Sequence, residues 1–173
     1  MAIYRLNHAV LYVRDVARSV AFYRDVLGFE IVMEMGGGRA AFLRAPESSN
    51  DHDLGLFAIG NEAGPSLAGR ATVGLYHLAW EVDTLRDLET LAGRLVEAGA
   101  LVGTSDHSTT KSLYGKDPDG LEFEVAWIVP ADLLDDATLQ GRTQIRPLDI
   151  AREIDRYGAE TPGGVGISRA AVK

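Results

Sequence analysis

One pattern occurs twice in this chain, as Leu6-Asn7-His8-Ala9-Val10-Leu11-Tyr12-Val13 and again as Leu75-Tyr76-His77-Leu78-Ala79-Trp80-Glu81-Val82. Each copy is apolar and alternating, which predicts a β-strand. The two histidines stand at the same position of the two copies. A duplicated structural unit is therefore expected, with one histidine in the first strand of each half.

A helix is predicted directly after each copy. Apolar residues recur at helical spacing, and a glycine follows where the chain must turn with a positive φ. Asp15 and Thr84 precede the helices and are suited to cap them. The apolar positions are Val16, Val20, Tyr23 and Leu27 before Gly28 in the first half, and Leu88, Leu91 and Leu95 before Gly99 in the second.

Several short strands are predicted after each helix. In the first half they are residues 29–35 and 40–43, which form a hairpin across Gly36-Gly37-Gly38, and residues 52–59. Residues 60–71, rich in Gly, Ala and Pro, are predicted to link the halves. The second half has residues 100–104, 112–115 and 121–128, with a turn at Asp117-Pro118-Asp119-Gly120 before the last.

The pattern changes after Pro130. Residues 131–141 and 146–157 are polar and favour helices, and a loose Gly- and Ala-rich tail is predicted from Gly158. We expect one domain over residues 1–130, built from modules at about 3–60 and 72–130, and a C-terminal helical arm and tail over 131–173.

Composition excludes several classes of protein. The net charge of −8 disfavours a nucleic-acid partner, and the absence of cysteine excludes disulfides, thiolate metal sites and a cysteine nucleophile. The start of the chain lacks the apolar run of a signal peptide, and no stretch is long and apolar enough to span a membrane. A soluble, cytoplasmic protein is expected.

His8, His77 and a glutamate of the last strand would supply two imidazoles and one carboxylate. This ligand set is that of non-haem Fe(II) oxygenases, and it also occurs around catalytic zinc. Residues two apart in a strand share a face, so Glu122 and Glu124 are rivals for the third position. A single histidine in a strand is more often structural than a metal ligand. The prediction of a metal site therefore depends on His8 and His77 standing at the same position of the two repeats.

The duplicated strand-helix-strands unit, the two histidines and the glutamate after the Asp-Pro-Asp-Gly turn resemble the vicinal oxygen chelate superfamily. This superfamily includes glyoxalases, bleomycin resistance proteins and extradiol dioxygenases. The closer resemblance is to ring-cleaving dioxygenases of the catechol 2,3-dioxygenase type, over roughly residues 3–130. It implies an α+β fold, in which paired βαβββ modules form an open, barrel-like mixed sheet around a metal cavity.

The resemblance also implies roles for individual residues. The metal ligands would be His8, His77 and Glu124, because the family places its glutamate at the eighth residue of the run that begins at Asp117. Glyoxalase-like relatives add a fourth ligand at the position of Gly55, which has no side chain; a shifted alignment would place Asp53 there instead.

The other two histidines and a tyrosine also match the family's catalytic positions. His52 would face the bound oxygen and transfer protons. His107 and Tyr114 would flank the substrate, with the phenol donating to it. The alternatives are a surface role for His52, a loop end for His107 and ordinary strand packing for Tyr114.

The implied activity is extradiol cleavage of a small aromatic diol by O₂, at Fe(II) or else Mn, Ni or Zn. A homo-oligomer is expected by analogy with short relatives. Two alternatives stay open. One is a metal-dependent isomerase, lyase or transferase of the same fold, and the other is a metal-free drug-binding resistance protein. Gly55 disfavours the first, and the intact ligand set disfavours the second.

Overall fold

A computed structural model describes residue 3 and residues 5–69 and 71–164 of the chain. It divides into two compact units. The first comprises residues 1–67 together with 117–121, and the second comprises residues 68–116 and 122–173. The boundary after Leu67 falls within the segment that the sequence predicts as a linker.

The first unit contains one helix and a four-stranded sheet. Its elements are β1 (Ala9–Val13), α1 (Val16–Asp25), β2 (Glu30–Met35), β3 (Ala40–Arg44) and β4 (Leu54–Ala58). The strand order is β1-β4-β3-β2, with β1 parallel to β4 and the other pairs antiparallel. The predicted hairpin is therefore β2–β3.

The second unit repeats this arrangement. Its elements are β5 (Leu78–Glu81), α2 (Leu85–Glu97), β6 (Leu101–Asp106), β7 (Thr110–Lys116) and β8 (Glu122–Ile128). The strand order is β5-β8-β7-β6, again with the first pair parallel and the others antiparallel. The duplicated βαβββ unit and the α+β class are confirmed. Neither sheet closes into a barrel.

The helix ends follow the predicted signals. The Asp15 side chain accepts a hydrogen bond from the backbone N–H of Arg18, and Thr84 forms a reciprocal capping box with Asp87. Gly28 and Gly99 follow the two helices at φ of 82° and 63°, where a side chain would be strained. Both helices bury their apolar stripe, as the spacing predicts.

The placement of His8 and His77 inside strands is wrong. β1 begins at Ala9 and β5 at Leu78, so each histidine directly precedes its strand. The two parallel ladders begin at the pairs Ala9↔Leu54 and Leu78↔Phe123, so neither includes its histidine. Before Ala9 the cause is the extent of the neighbouring strand, because β4 itself begins at Leu54. The alternating sequence continues beyond these pairs, but the hydrogen-bonded ladder does not.

The C-terminal arm is helical, but its helices are shorter than the sequence predicts. A 3₁₀ turn (Ala131–Leu133) precedes α3 (Asp136–Gly141) and α4 (Ile150–Tyr157). Asp135 and Asp149 cap the two helices, so each begins directly after its cap. Pro147 disfavours a helical conformation at Arg146, which instead forms a β-bridge with Asp106.

The arm packs on the second sheet. The fully buried Trp127 of β8 lies 5.4 Å, between ring centroids, from Tyr157 of α4. Within the described part of the chain, no helix is long and apolar enough to cross a membrane. The prediction of a loose tail from Gly158 is wrong for residues 158–164, because Arg86 N–H donates to Ala159 O and Gly164 N–H to Ile128 O, both at 3.0 Å. The rest of the predicted tail, beyond residue 164, and residues 1, 2 and 4 lie outside the described residues.

Candidate functional site

The second unit places His77 and Glu124 side by side. Nε2 of His77 lies 3.1 Å from Oε2 of Glu124, and both side chains are largely buried, with 25% and 13% exposed. Glu124 lies in the middle of β8, opposite Ala79 of β5. Because β5 and β8 are parallel neighbours, the residue just before β5 reaches the face that carries Glu124.

The second carboxylate oxygen of Glu124 is also held. The Oγ of Ser112, in the neighbouring strand β7, donates to Oε1 of Glu124 at 2.5 Å, and Ser112 is fully buried. The rival Glu122 lies apart from this arrangement. Its carboxylate is 3.5 Å from the ammonium of Lys116 and is 34% exposed. The geometry therefore favours Glu124 over Glu122 as a partner for His77.

Tyr114 and His107 lie beside this pair. Tyr114 is directly opposite Glu124 in the β7–β8 ladder, and its ring centroid is 5.9 Å from that of His77. Its hydroxyl lies 2.8 Å from Nε2 of His107, at the turn between β6 and β7. The tautomer of His107 decides which of the two donates. The prediction that His107 merely ends a loop is therefore disfavoured.

The surroundings keep the Tyr114 phenol neutral. Burial, and after it the carboxylate of Glu124, raise the pKa of Tyr114 above its usual value. A protonated phenol can donate one hydrogen bond and accept others. Tyr114 thus combines a ring that contacts His77 with a hydroxyl that is available for polar contacts.

The first unit brings His8 and His52 together. Their ring centroids are 4.6 Å apart, and the ring of Phe42 is 5.0 Å from His52 on another side. Nδ1 of His52 lies 2.9 Å from the exposed carboxylate of Asp51, and Nδ1 of His8 lies 2.7 Å from the amide oxygen of Asn7. Each imidazole therefore has its Nδ1 engaged by the residue that precedes it in the chain.

Gly55 and Asp53, the two candidate positions for a fourth metal ligand, have different surroundings. Gly55, in β4, is paired with Val10, and a Cβ there would contact the side chains of Val10 and Phe42 at 3.4 and 3.5 Å. Asp53 is buried, and its carboxylate accepts hydrogen bonds from Ala45 N–H, Ser48 and Asn50. Asp53 thus stabilises the loop before β4, which occupies its acceptor capacity.

The predicted site residues form two groups. His77, Glu124, Tyr114 and His107 lie together in the second unit, and His8 and His52 lie together in the first. Across residue 3 and residues 5–69 and 71–164, no three His, Asp or Glu side chains form a cluster that could hold a metal ion. The three-residue ligand set of His8, His77 and Glu124 stays a prediction.

Ser112 is the functional candidate that the sequence did not reveal. A serine in a strand has no distinctive spacing, and only the register of β7 against β8 brings it to Glu124. The available signal is that Ser112 and Tyr114 are two apart, so they share a face.

Comparison with known proteins places the chain in one superfamily. A family model described as "Glyoxalase/Bleomycin resistance protein/Dioxygenase superfamily" matches residues 5–125. A catechol-2,3-dioxygenase of Bacillus subtilis (strain 168) is 32% identical over 123 residues, which are 69% of this chain and 40% of the relative. A biphenyl-2,3-diol 1,2-dioxygenase of Rhodococcus globerulus is 36% identical over 124 residues, 70% of this chain and 62% of the relative.

A solved structure gives the same picture. A glyoxylase/bleomycin resistance protein/dioxygenase domain from Frankia sp. EAN1pec is similar with a TM-score of 0.58 and 25% identity, over 72% of this chain and 92% of that one. The chain spans less than two thirds of the length of the two dioxygenases that it matches.

Proposed function

Because the chain belongs to the glyoxalase/bleomycin resistance protein/dioxygenase superfamily, we propose that it is an extradiol ring-cleaving dioxygenase. Its substrates would be O₂ and a small aromatic diol, at a single divalent metal ion, with Fe(II) the first choice. The similarity to two diol dioxygenases supports this reaction class.

One observation carries the proposal. His77 Nε2 and Glu124 Oε2, two atoms of metal-ligand type, are 3.1 Å apart. Beside them lie the phenol of Tyr114 and the imidazole of His107, which contact each other. His8 stands at the position equivalent to His77 in the repeat and has a second imidazole, His52, against it. We propose His8, His77 and Glu124 as the three ligands.

The donor pair fits a metal ion. The separation of His77 Nε2 and Glu124 Oε2 is 3.1 Å. A neutral imidazole and a carboxylate suit a divalent first-row metal, and the bond from Ser112 orients the carboxylate as outer-shell groups do in metal sites.

A divalent ion held by His8, His77 and Glu124 would supply Lewis-acid and redox chemistry for the reaction of the diol with O₂. We propose that Nε2 of His52 gives or takes the proton that moves when the diol reacts with O₂. Imidazole is the side chain best suited to give and take protons, and the contact of Nδ1 with Asp51 leaves Nε2 for this task.

Tyr114 would bind and orient the substrate. Its hydroxyl can donate to a diol oxygen, and a hydrogen bond to a developing negative charge strengthens in a site from which water is excluded. His107 fixes the direction of this hydroxyl through its 2.8 Å contact. Gly55 would leave the fourth protein-ligand position without a side chain, so that a bidentate diol and O₂ have room.

Oxygen consumption tests the proposal. The protein is loaded anaerobically with Fe(II) or Mn(II), mixed with catechol, 3-methylcatechol or 2,3-dihydroxybiphenyl, and followed with an oxygen electrode and absorbance scanning. We expect one O₂ consumed per diol, with a yellow ring-opened product. A protein that holds the metal but consumes no O₂ with any of these diols would contradict the proposed reaction.

Replacing Ser112 by alanine is expected to lower metal affinity by about 10- to 100-fold, the usual range for groups that orient a ligand. The reason is loss of the bond from Ser112 Oγ to Glu124 Oε1. Affinity is measured by competition with a chelator of known strength. Ser19→Ala is the control, since Ser19 is also fully buried and its Oγ has no hydrogen-bond partner within the described ranges. Equal affinity of the Ser112→Ala variant and the wild type would exclude this role.

A further inference from the structure

The turn that carries His107 is held from outside the region that the family model covers. The match ends at residue 125, whereas α3 and α4 lie beyond it. Asp106, directly before His107, exchanges two backbone hydrogen bonds with Arg146 of the arm, at 2.8 and 3.0 Å. The arm thus adds a β-bridge at the residue that precedes His107.

The side chain of Asp106 is fixed in the same region. Its Oδ1 accepts from the ammonium of Lys111 at 2.6 Å, and that ammonium is also 2.9 Å from Oε2 of Glu153 in α4. Lys111 is 1% exposed and Glu153 4%. A buried lysine between two carboxylates is held firmly, because moving either partner would leave a charge uncompensated away from water.

The turn itself has a conformation that needs support. Ser108 is buried at a φ of 67°, the only positive φ among the described residues other than glycine. Its N–H donates to Oδ1 of Asp106 at 2.7 Å. Such a backbone conformation is unfavourable for serine and persists where the surroundings impose it.

Gly141, the last residue of α3, packs on this turn. A Cβ at Gly141 would lie 2.2 Å from Oγ of Ser108 and 3.2 Å from its Cβ. The arm and the turn are therefore in contact, with no room for one further methyl group. Lys111 and Trp127, a cross-strand pair, point to the face where the arm packs, opposite to the face of Tyr114 and Glu124.

We propose that the C-terminal arm is a positioning element for His107, acting through Gly141, Arg146 and Glu153. By fixing both ends of the turn after β6, it sets the direction of Nε2 toward the Tyr114 hydroxyl, 2.8 Å away. The catalytic consequence rests on the proposed function, in which this hydroxyl binds the substrate. The effect of the arm on the position of His107 does not depend on that function.

The test uses Gly141→Ala, which forces the turn to move. Long-range ¹H–¹⁵N NMR of the metal-free protein reports the imidazole nitrogens of all four histidines. We expect the His107 signals to shift, with those of His8 and His52 unchanged. Thr138→Ala is the matched control, because Thr138 is buried in the same helix. Its backbone N–H donates to Asp135 and its hydroxyl accepts from Arg156, and neither of these partners belongs to the turn. Unchanged His107 signals in folded Gly141→Ala protein would overturn the proposal.

A second substitution keeps the test independent of folding losses. Ser108→Gly removes the two Ser108 atoms that Gly141→Ala would strike and suits the positive φ; the remaining close atom, an Arg146 guanidinium nitrogen at 2.9 Å, ends a flexible side chain. The double variant should therefore recover the wild-type His107 signals. Failure to recover them would show that the arm does not act through this turn.

Turnover measurements test the catalytic consequence. A small misplacement of a positioned group can cost up to about 100-fold, so Gly141→Ala should lower kcat by about 10- to 100-fold with KM less affected. In a His107→Ala background the same change should have no further effect on kcat, since both act on one interaction. Additive losses would overturn the proposal. A shifted His107 in a protein without dioxygenase activity would instead contradict only the proposed function.

Discussion

Replacement of Glu124 by alanine is expected to lower metal affinity and diol turnover by more than about 100-fold each, since even outer-shell changes cost 10- to 100-fold. The variant removes the carboxylate that lies 3.1 Å from His77 Nε2 and leaves the imidazole without this anionic neighbour. Metal content after gel filtration and oxygen consumption at saturating diol measure the two effects. Circular dichroism verifies the fold.

The matched control is Glu122→Ala, two residues earlier on the same strand. The Glu122 carboxylate lies 3.5 Å from the Lys116 ammonium and is partly exposed. Exposed ion pairs of this kind contribute little to stability. We expect metal content and turnover within about twofold of the wild type. The reverse pattern, with Glu122→Ala inactive and Glu124→Ala active, would transfer the ligand role to Glu122.

Replacement of His52 by glutamine is expected to lower kcat by about 100- to 10,000-fold, the range for a lost general acid or base, while the metal stays bound. Glutamine can still form hydrogen bonds but cannot carry a proton at neutral pH. Single-turnover measurements on metal-loaded protein, with anaerobic diol added before O₂, separate diol binding from the oxygen step. We expect diol binding to persist and O₂ consumption to be slow.

Two observations would argue against this role. One is loss of metal from His52→Gln, which would make His52 a ligand or a support of His8, whose ring lies 4.6 Å away. The other is an equal loss of kcat in Asp51→Asn. Asp51 contacts Nδ1 of His52 but is 87% exposed, so its removal should cost less than about tenfold.

Much of the fold was predictable because its signals are local. Asp15, Thr84, Gly28 and Gly99 each act within one helical turn, and all four were read from the sequence with the correct role. The ends of the strands depend on residues that are distant in the sequence. The sequence alternates through His8 as it does through Val10, and only the extent of β4 ends the ladder at Ala9.

The site was predictable where residue type alone carries the chemistry. Histidines and glutamates stand out, and the repeat relates His8 to His77 without any structure. Ser112 and Glu153 do not stand out, because their roles depend on a cross-strand register and on a buried lysine from a distant segment. Lys111 in an alternating strand suggests an exposed side chain, whereas packing of the arm buries it.

The central claim is that His8, His77 and Glu124 bind one metal ion. Anomalous diffraction from crystals grown anaerobically with Mn(II) and a catechol tests it most directly. We predict one peak per chain, bonded at about 2.0–2.2 Å to a nitrogen of each histidine and to an oxygen of Glu124, with both diol oxygens on the same ion. A peak that lacks any of these three ligands, or a diol bound away from the metal, would contradict the account.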